Sequence, residues 1–166
     1  MRNKERGIIM KELYLYHATY KSNLNSILKK GLLVNPPKHN WTEMDCDDKI
    51  FLAFNAHNAI AYAKAMNNYK TILNEKKEEI ILFRIAYKRL DEDKFYYDWN
   101  NRCEYYGDID SCVYEDNIDA EYLEIVDFNK VEKEPEQNLN SFKRTTLYNT
   151  ILDVFDYEVE TNMENF

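Results

Sequence analysis

The stretch Leu15-Tyr16-His17-Ala18-Thr19, followed by Asn23-Leu24-Asn25-Ser26-Ile27-Leu28-Lys29-Lys30-Gly31-Leu32, reads as a short apolar strand running into an amphipathic helix. Strand alternation puts His17 and Thr19 on one side. They offer an imidazole and a hydroxyl at a strand end, where polar ligands are gripped. Ser22 or Asn23 can cap the helix, Ile27 and Leu28 face inward, and Gly31 takes the position just past the last turn.

On the N-terminal side, residues 1–9 read as an unstructured start. The start is Met1 or Met10, the latter because Lys4-Glu5-Arg6-Gly7 could be back-translated as a purine-rich ribosome-binding site. Met10–Ala18 is the expected strand. On the other side, Asn35–Asp48 is a loop, since Pro36-Pro37 fits neither regular element. Ile50–Phe54 is a short apolar strand. Asn55 is a candidate cap for a helix from His57 to about Leu73, rich in Ala and Met. Glu79–Tyr87 is β-rich. Leu90–Asp108 is polar and aromatic, with Phe95, Tyr96, Tyr97, Trp99, Tyr105 and Tyr106. Ser111–Tyr114 and Glu121–Val126 are strands about an Asp116-Asn117 turn. Lys130–Gln137 is a charged linker. Leu139–Val159 is helical, with Leu147, Ile151, Val154 and Phe155 at helical spacing. Pattern alone assigns an α+β class. Residues 10–128 form one domain. Residues 129–166 add the linker and a helix that packs on the same domain or swaps between subunits.

The composition narrows the function classes. The chain has 166 residues, 45% of them apolar, enough for one core. No run of about 20 apolar residues could span a bilayer, and no basic-then-apolar leader points to secretion. Cys46, Cys103 and Cys112 lack zinc-site spacing and read as reduced thiols of a cytoplasmic protein. His17, His39 and His57 are too scattered for a metal cluster. The net charge of −8 hides an asymmetry. Residues 1–90 carry 16 basic and 9 acidic side chains, and residues 91–166 carry 6 and 21. The basic half suits an anionic ligand. The acidic half repels nucleic acid and attracts a basic protein. Two solvated surfaces without a partner explain the same pattern. The Asn, Lys, Ile and Tyr bias matches an A+T-rich bacterial or phage genome.

Taken in order, these residues resemble the ADP-ribosyltransferase superfamily, in its diphtheria-toxin and poly(ADP-ribose) polymerase branch. The resemblance runs from about Leu13 to Val126. Its first motif is His17, Thr19, Asn23, Ile27-Leu28, Gly31-Leu32 and Pro36-Pro37, at the intervals of the polymerase branch. Its second is Ile50-Phe51-Leu52-Ala53-Phe54 with Tyr62 on the next helix. Its third is Asp110-Ser111-Cys112-Val113-Tyr114, an acid-led strand, followed by Glu121-Tyr122-Leu123.

The resemblance implies a split β-sandwich: two small antiparallel sheets packed face to face around an NAD cleft, with a few flanking helices. NAD is the substrate. His17, Ala18, Thr19 and Asn23 lie where the family holds its ribose and amide. Phe51 and Tyr62 sandwich the nicotinamide ring, with phenylalanine replacing the usual tyrosine but keeping an aromatic face. Asp110 takes the place of the usual glutamate, which accepts the ribose 2′-hydroxyl and stabilises the sugar cation. Aspartate is one methylene shorter, so the strand must sit closer to the sugar. Asp108 forms an acid-x-acid pair with Asp110, resembling the target-contacting loop of arginine-modifying members. Tyr105 and Tyr106 stand where that loop carries a target-facing aromatic. Gly107-Asp108 is also a good turn by itself, and the tyrosines can equally cover the sheet. Without the motif order, His17 reads as a satisfied structural histidine, and Tyr62 and Phe51 as core.

The function this implies is a small mono-ADP-ribosyltransferase acting on a basic target protein, in the manner of a phage or mobile-element effector against its host. An RNA 2′-phosphotransferase is a related alternative, weakened by the acidic second half and the lack of an arginine cluster. A non-catalytic module that binds ADP-ribose or protein, or an acidic mimic of nucleic acid, belongs to a different class.

Overall fold

The computed structural model describes residues 11–36, 48–99 and 109–164. Six strands are present among them: β1 (Tyr14–Tyr20), β2 (Ile50–Ala53), β3 (Ile80–Ala86), β4 (Phe95–Tyr97), β5 (Ser111–Tyr114) and β6 (Leu123–Val126). Four helices accompany them: α1 (Leu24–Lys30), α2 (Ala56–Ile72), α3 (Phe128–Val131) and α4 (Thr146–Glu164). The class is mixed α+β. The strands follow the order β4-β5-β2-β1-β3-β6, every neighbouring pair antiparallel.

The pairing is uneven, and this positions the candidate site. β1 and β3 share seven register pairs, from Tyr14↔Ala86 to Tyr20↔Ile80. β2 and β5 share four. β1 and β2 meet at one pair only, Tyr16↔Ala53. Where the resemblance implies two sheets packed face to face, the described strands form one six-stranded order. Its two three-stranded halves, β4-β5-β2 and β1-β3-β6, join at a narrow seam. The hydrophobic pattern marks the strands but carries no record of which edges meet.

Each sheet face has its own core. On one, Tyr16, Ala18, Tyr20, Ala53 and Leu82 pack against Ala59, Ala63 and Met66 of α2, with Val131 of α3. Small residues on α2 let the helix lie close to the strands. On the other, Leu15, Leu52, Phe54, Phe83, Ile85, Cys112 and Tyr114 meet Ile27 of α1, Phe142 of a short 3-10 turn, and Leu147 and Ile151 of α4. Leu147 and Ile151 are fully buried there, so α4 shares the core of the sheet.

Most expected elements stand within a residue or two of their sequence-derived bounds. The cap at Asn55 is present, its side chain accepting from the Asn58 N–H at 2.8 Å. Strand β4 lies inside the aromatic stretch, where the sequence pattern predicts no element. The linker holds α3, and Leu139–Phe142 is a 3-10 turn ahead of the last helix. Leu28 is 49% exposed, contrary to its expected inward face: α1 meets the core through Leu24 and Ile27, three residues apart on one face. Gly31 closes α1 at φ 78° and ψ −170°, its N–H bonded to the Ile27 carbonyl at 2.8 Å. Leu32 and Ile118 then exchange two backbone hydrogen bonds of 2.9 Å. No helix among the described residues is long and apolar enough to cross a membrane.

Candidate active site

The seam between β1 and β2 is organised by His17. Past the Tyr16↔Ala53 pair the two strands no longer bond to each other. A carbonyl left unpaired there would carry a cost of about 1–3 kcal/mol. The His17 ring meets that need, with Nδ1 2.9 Å from the Phe51 carbonyl oxygen. A carbonyl only accepts, so Nδ1 carries the proton and Nε2 of the neutral ring is left as an acceptor. Burial pushes the His17 pKa below the ordinary histidine value, and the Phe51 bond raises it by less. The neutral ring is thus the resting form at neutral pH. It presents a hydrogen-bond acceptor rather than a positive charge.

Thr19, two residues on, is buried, and its hydroxyl accepts from Asn23 Nδ2 at 3.0 Å. Asn23 spends its side chain on this bond and not on capping α1. The bond ties the end of β1 to the entry of α1. Ala18 alternates to the opposite side and is buried in the α2 core.

Strand β2 supplies the next pieces. Its alternation sends Ile50 and Leu52 to the α4 side, and Phe51 with Ala53 to the α2 side. Tyr62 packs against that same α2-side core. Phe51 and Tyr62 are therefore brought to one side of the sheet, each half-buried. Asp110 sits immediately before β5, half-buried. Its carbonyl accepts from the Phe54 N–H at 3.0 Å, which anchors it where β2 turns into α2. β2 thus bonds the His17 ring through the Phe51 carbonyl on one flank and the Asp110 backbone through the Phe54 N–H on the other, while His17 and Thr19 themselves alternate to the α4 side of β1, opposite the face that carries Phe51 and Tyr62. Asp108, Tyr105 and Tyr106 lie outside the described residues, as do His39, Cys46 and Cys103. His57 is exposed and lies edge-on to Phe128.

One further pair, unmarked by any sequence motif, lies beside Asp110. Ser111 donates from Oγ to Asp98 Oδ2 at 2.7 Å, and both residues are buried. β4 carries Asp98 at its end, and the Tyr97↔Cys112 pairing brings it beside Ser111. The signal was a lone acid in an aromatic run, Phe95-Tyr96-Tyr97-Asp98-Trp99. Only the β4–β5 register gives that acid a partner. Burial pushes the Cys112 thiol well up, with the Asp98 charge adding to the effect, so Cys112 is an inert core residue. No group of three or more His, Cys, Asp or Glu side chains among the described residues could hold a metal ion.

No protein-family profile matches this chain, and no curated protein sequence matches it significantly.

Proposed function

We propose that this chain is a mono-ADP-ribosyltransferase that takes NAD as substrate and modifies a side chain of a basic protein. One observation carries the reading: the hydrogen bond from His17 Nδ1 to the Phe51 carbonyl. It joins the first and second motifs of the resemblance at the point where the sheet opens. The third motif, led by Asp110, is anchored three residues further along the same segment through Phe54.

The residues suit the chemistry. The neutral His17 ring keeps an Nε2 acceptor for a ribose hydroxyl. A ligand crossing the β1–β2 seam from His17 would meet the Phe51 and Tyr62 rings on the α2 side, where a flat nicotinamide would stack. In the reaction, the bond between the ribose C1′ and the nicotinamide nitrogen breaks, and nicotinamide leaves as a neutral molecule. The Asp110 carboxylate stabilises the oxocarbenium ion that remains. A nucleophilic side chain of the target then bonds to C1′ and gives up its proton. The −15 balance of residues 91–166 favours a basic target by charge complementarity.

The test is nicotinamide release from NAD, with and without basic candidate proteins, followed by mass spectrometry of those proteins. Release with transfer of ADP-ribose, lost in Asp110→Asn, supports the proposal. Saturable NAD or ADP-ribose binding without release points to a non-catalytic module. Absence of both binding and release overturns the reading.

A further inference from the structure

The buried pair Asp98–Ser111 has no part in the chemistry just described, and it lies next to the residue on which that chemistry turns. Ser111 is the first residue of β5, and Asp110 precedes it. Ser111 faces Ala53 of β2 on one side, and Asp98 at the end of β4 on the other. Asp98 is 5% exposed and Ser111 4%. The cross-strand partner of Ser111 on β2, Ala53, and the next residue along β5, Cys112, are both buried.

A carboxylate is costly to bury unless it is well bonded. Two apolar side chains in this place would fill the same space without that cost. What the polar pair adds is geometry. A charge-assisted O–H···O⁻ bond of 2.7 Å is short and directional. It fixes Ser111 relative to β4. Through one peptide unit it fixes the Asp110 backbone, whose carbonyl already accepts from Phe54.

We propose that Asp98 is a positioning residue: its bond to Ser111 holds the first turn of backbone at β5, and so sets where the Asp110 carboxylate stands. This role in catalysis rests on the ADP-ribosyltransferase reading, but the mechanical part does not. An aspartate in place of glutamate leaves a shorter reach, and a carboxylate acting on a developing cation tolerates little displacement. A misplacement of about 1 Å in such a group costs on the order of 100-fold in rate.

Two readouts separate the claims. The first is amide hydrogen exchange at Phe54, whose N–H donates to Asp110. In Ser111→Ala and Asp98→Ala its protection should fall by about 10-fold or more, while amides in the β1–β3 ladder stay protected. The second is steady-state nicotinamide release. Both variants should lose about 10-fold or more in kcat with KM for NAD nearly unchanged. The double variant should lose no more than either single one. Asp98→Asn, whose amide oxygen can still accept from Ser111, should keep most of the rate. If Asp98→Ala does not fold, Ser111→Ala and Asp98→Asn carry the comparison. Unchanged Phe54 protection in the alanine variants overturns the positioning role whatever the activity. Lost protection with additive or absent rate effects overturns its link to catalysis. A wild-type protein that releases no nicotinamide counts against the enzyme reading and against that link, and leaves the exchange result to decide the mechanical claim.

Discussion

Gly31→Ala should be among the most damaging single substitutions outside the core side chains. Gly31 has φ 78° and ψ −170°, a region that only glycine occupies without strain. Forcing alanine into it costs about 1–3 kcal/mol. Space is a second obstacle. A Cβ at this position would stand 2.0 Å from the Ile118 carbonyl oxygen and 3.0 Å from the Ala120 nitrogen. Both are backbone atoms and cannot rotate away. The relief open to the chain is to pull Leu32 from Ile118, which gives up two backbone hydrogen bonds of 2.9 Å. At about 0.5–1.5 kcal/mol net for each bond, that adds about 1–3 kcal/mol. The sum, about 2–6 kcal/mol, is a large part of the stability of a typical domain, about 5–15 kcal/mol. A loss of about 4 kcal/mol would lower Tm by roughly 8–16 °C for a chain of this size. Urea and thermal unfolding followed by circular dichroism measure it, with Ser26→Ala on the exposed side of α1 as a control expected within about 0.5 kcal/mol of wild type. A Gly31→Ala protein within about 1 kcal/mol of wild type would refute the reasoning, since neither the backbone region nor the Ile118 contact would then constrain the position.

Three further expectations concern the candidate site. His17 is held neutral in the folded chain, its pKa below the ordinary value, so the unfolded chain binds the extra proton first. Its contribution to stability is therefore fully present above about pH 6.5, the unfolded value. It is lost as pH falls toward the folded value. His17→Gln should flatten this part of the stability–pH curve and weaken NAD binding, and an unchanged slope between about pH 7 and 5 would refute the assignment. Tyr62→Phe should leave NAD affinity nearly unaltered, whereas Tyr62→Ala should cost about 1–3 kcal/mol of binding, read by titration calorimetry. Equal losses would shift the role from the ring to the hydroxyl. Asp110→Asn should keep NAD binding and lower turnover by roughly 10²–10³, the mark of an interaction made in the transition state. Asp110→Glu should also lose rate if the strand sits close to the sugar, and full turnover in the Asn variant would remove Asp110 from the mechanism.

Much of the local structure was legible in the residues. β-rich runs marked β2, β3 and β5, and Asn55 announced the start of α2. Gly31 announced the end of α1, because glycine is favoured where a helix must stop at positive φ. These are short-range rules, each settled by a few neighbouring residues. His17 could be singled out from its neighbours, and the order of motifs suggested Phe51, Tyr62 and Asp110 as its companions.

Tertiary structure alone decided how these pieces meet. Leu28 lies exposed because α1 meets the core through Leu24 and Ile27. β4 was hidden among aromatic residues because three residues are too few to show alternation. The single Tyr16↔Ala53 pair, the His17–Phe51 bond that follows it and the Asp98–Ser111 bond all depend on strand order and register. Those contacts join residues 13 to 37 positions apart in the sequence. A hydrophobic pattern states which face of a strand is buried. It does not state which strand lies beside it, because pairing is set by how both faces of the whole sheet are covered at once.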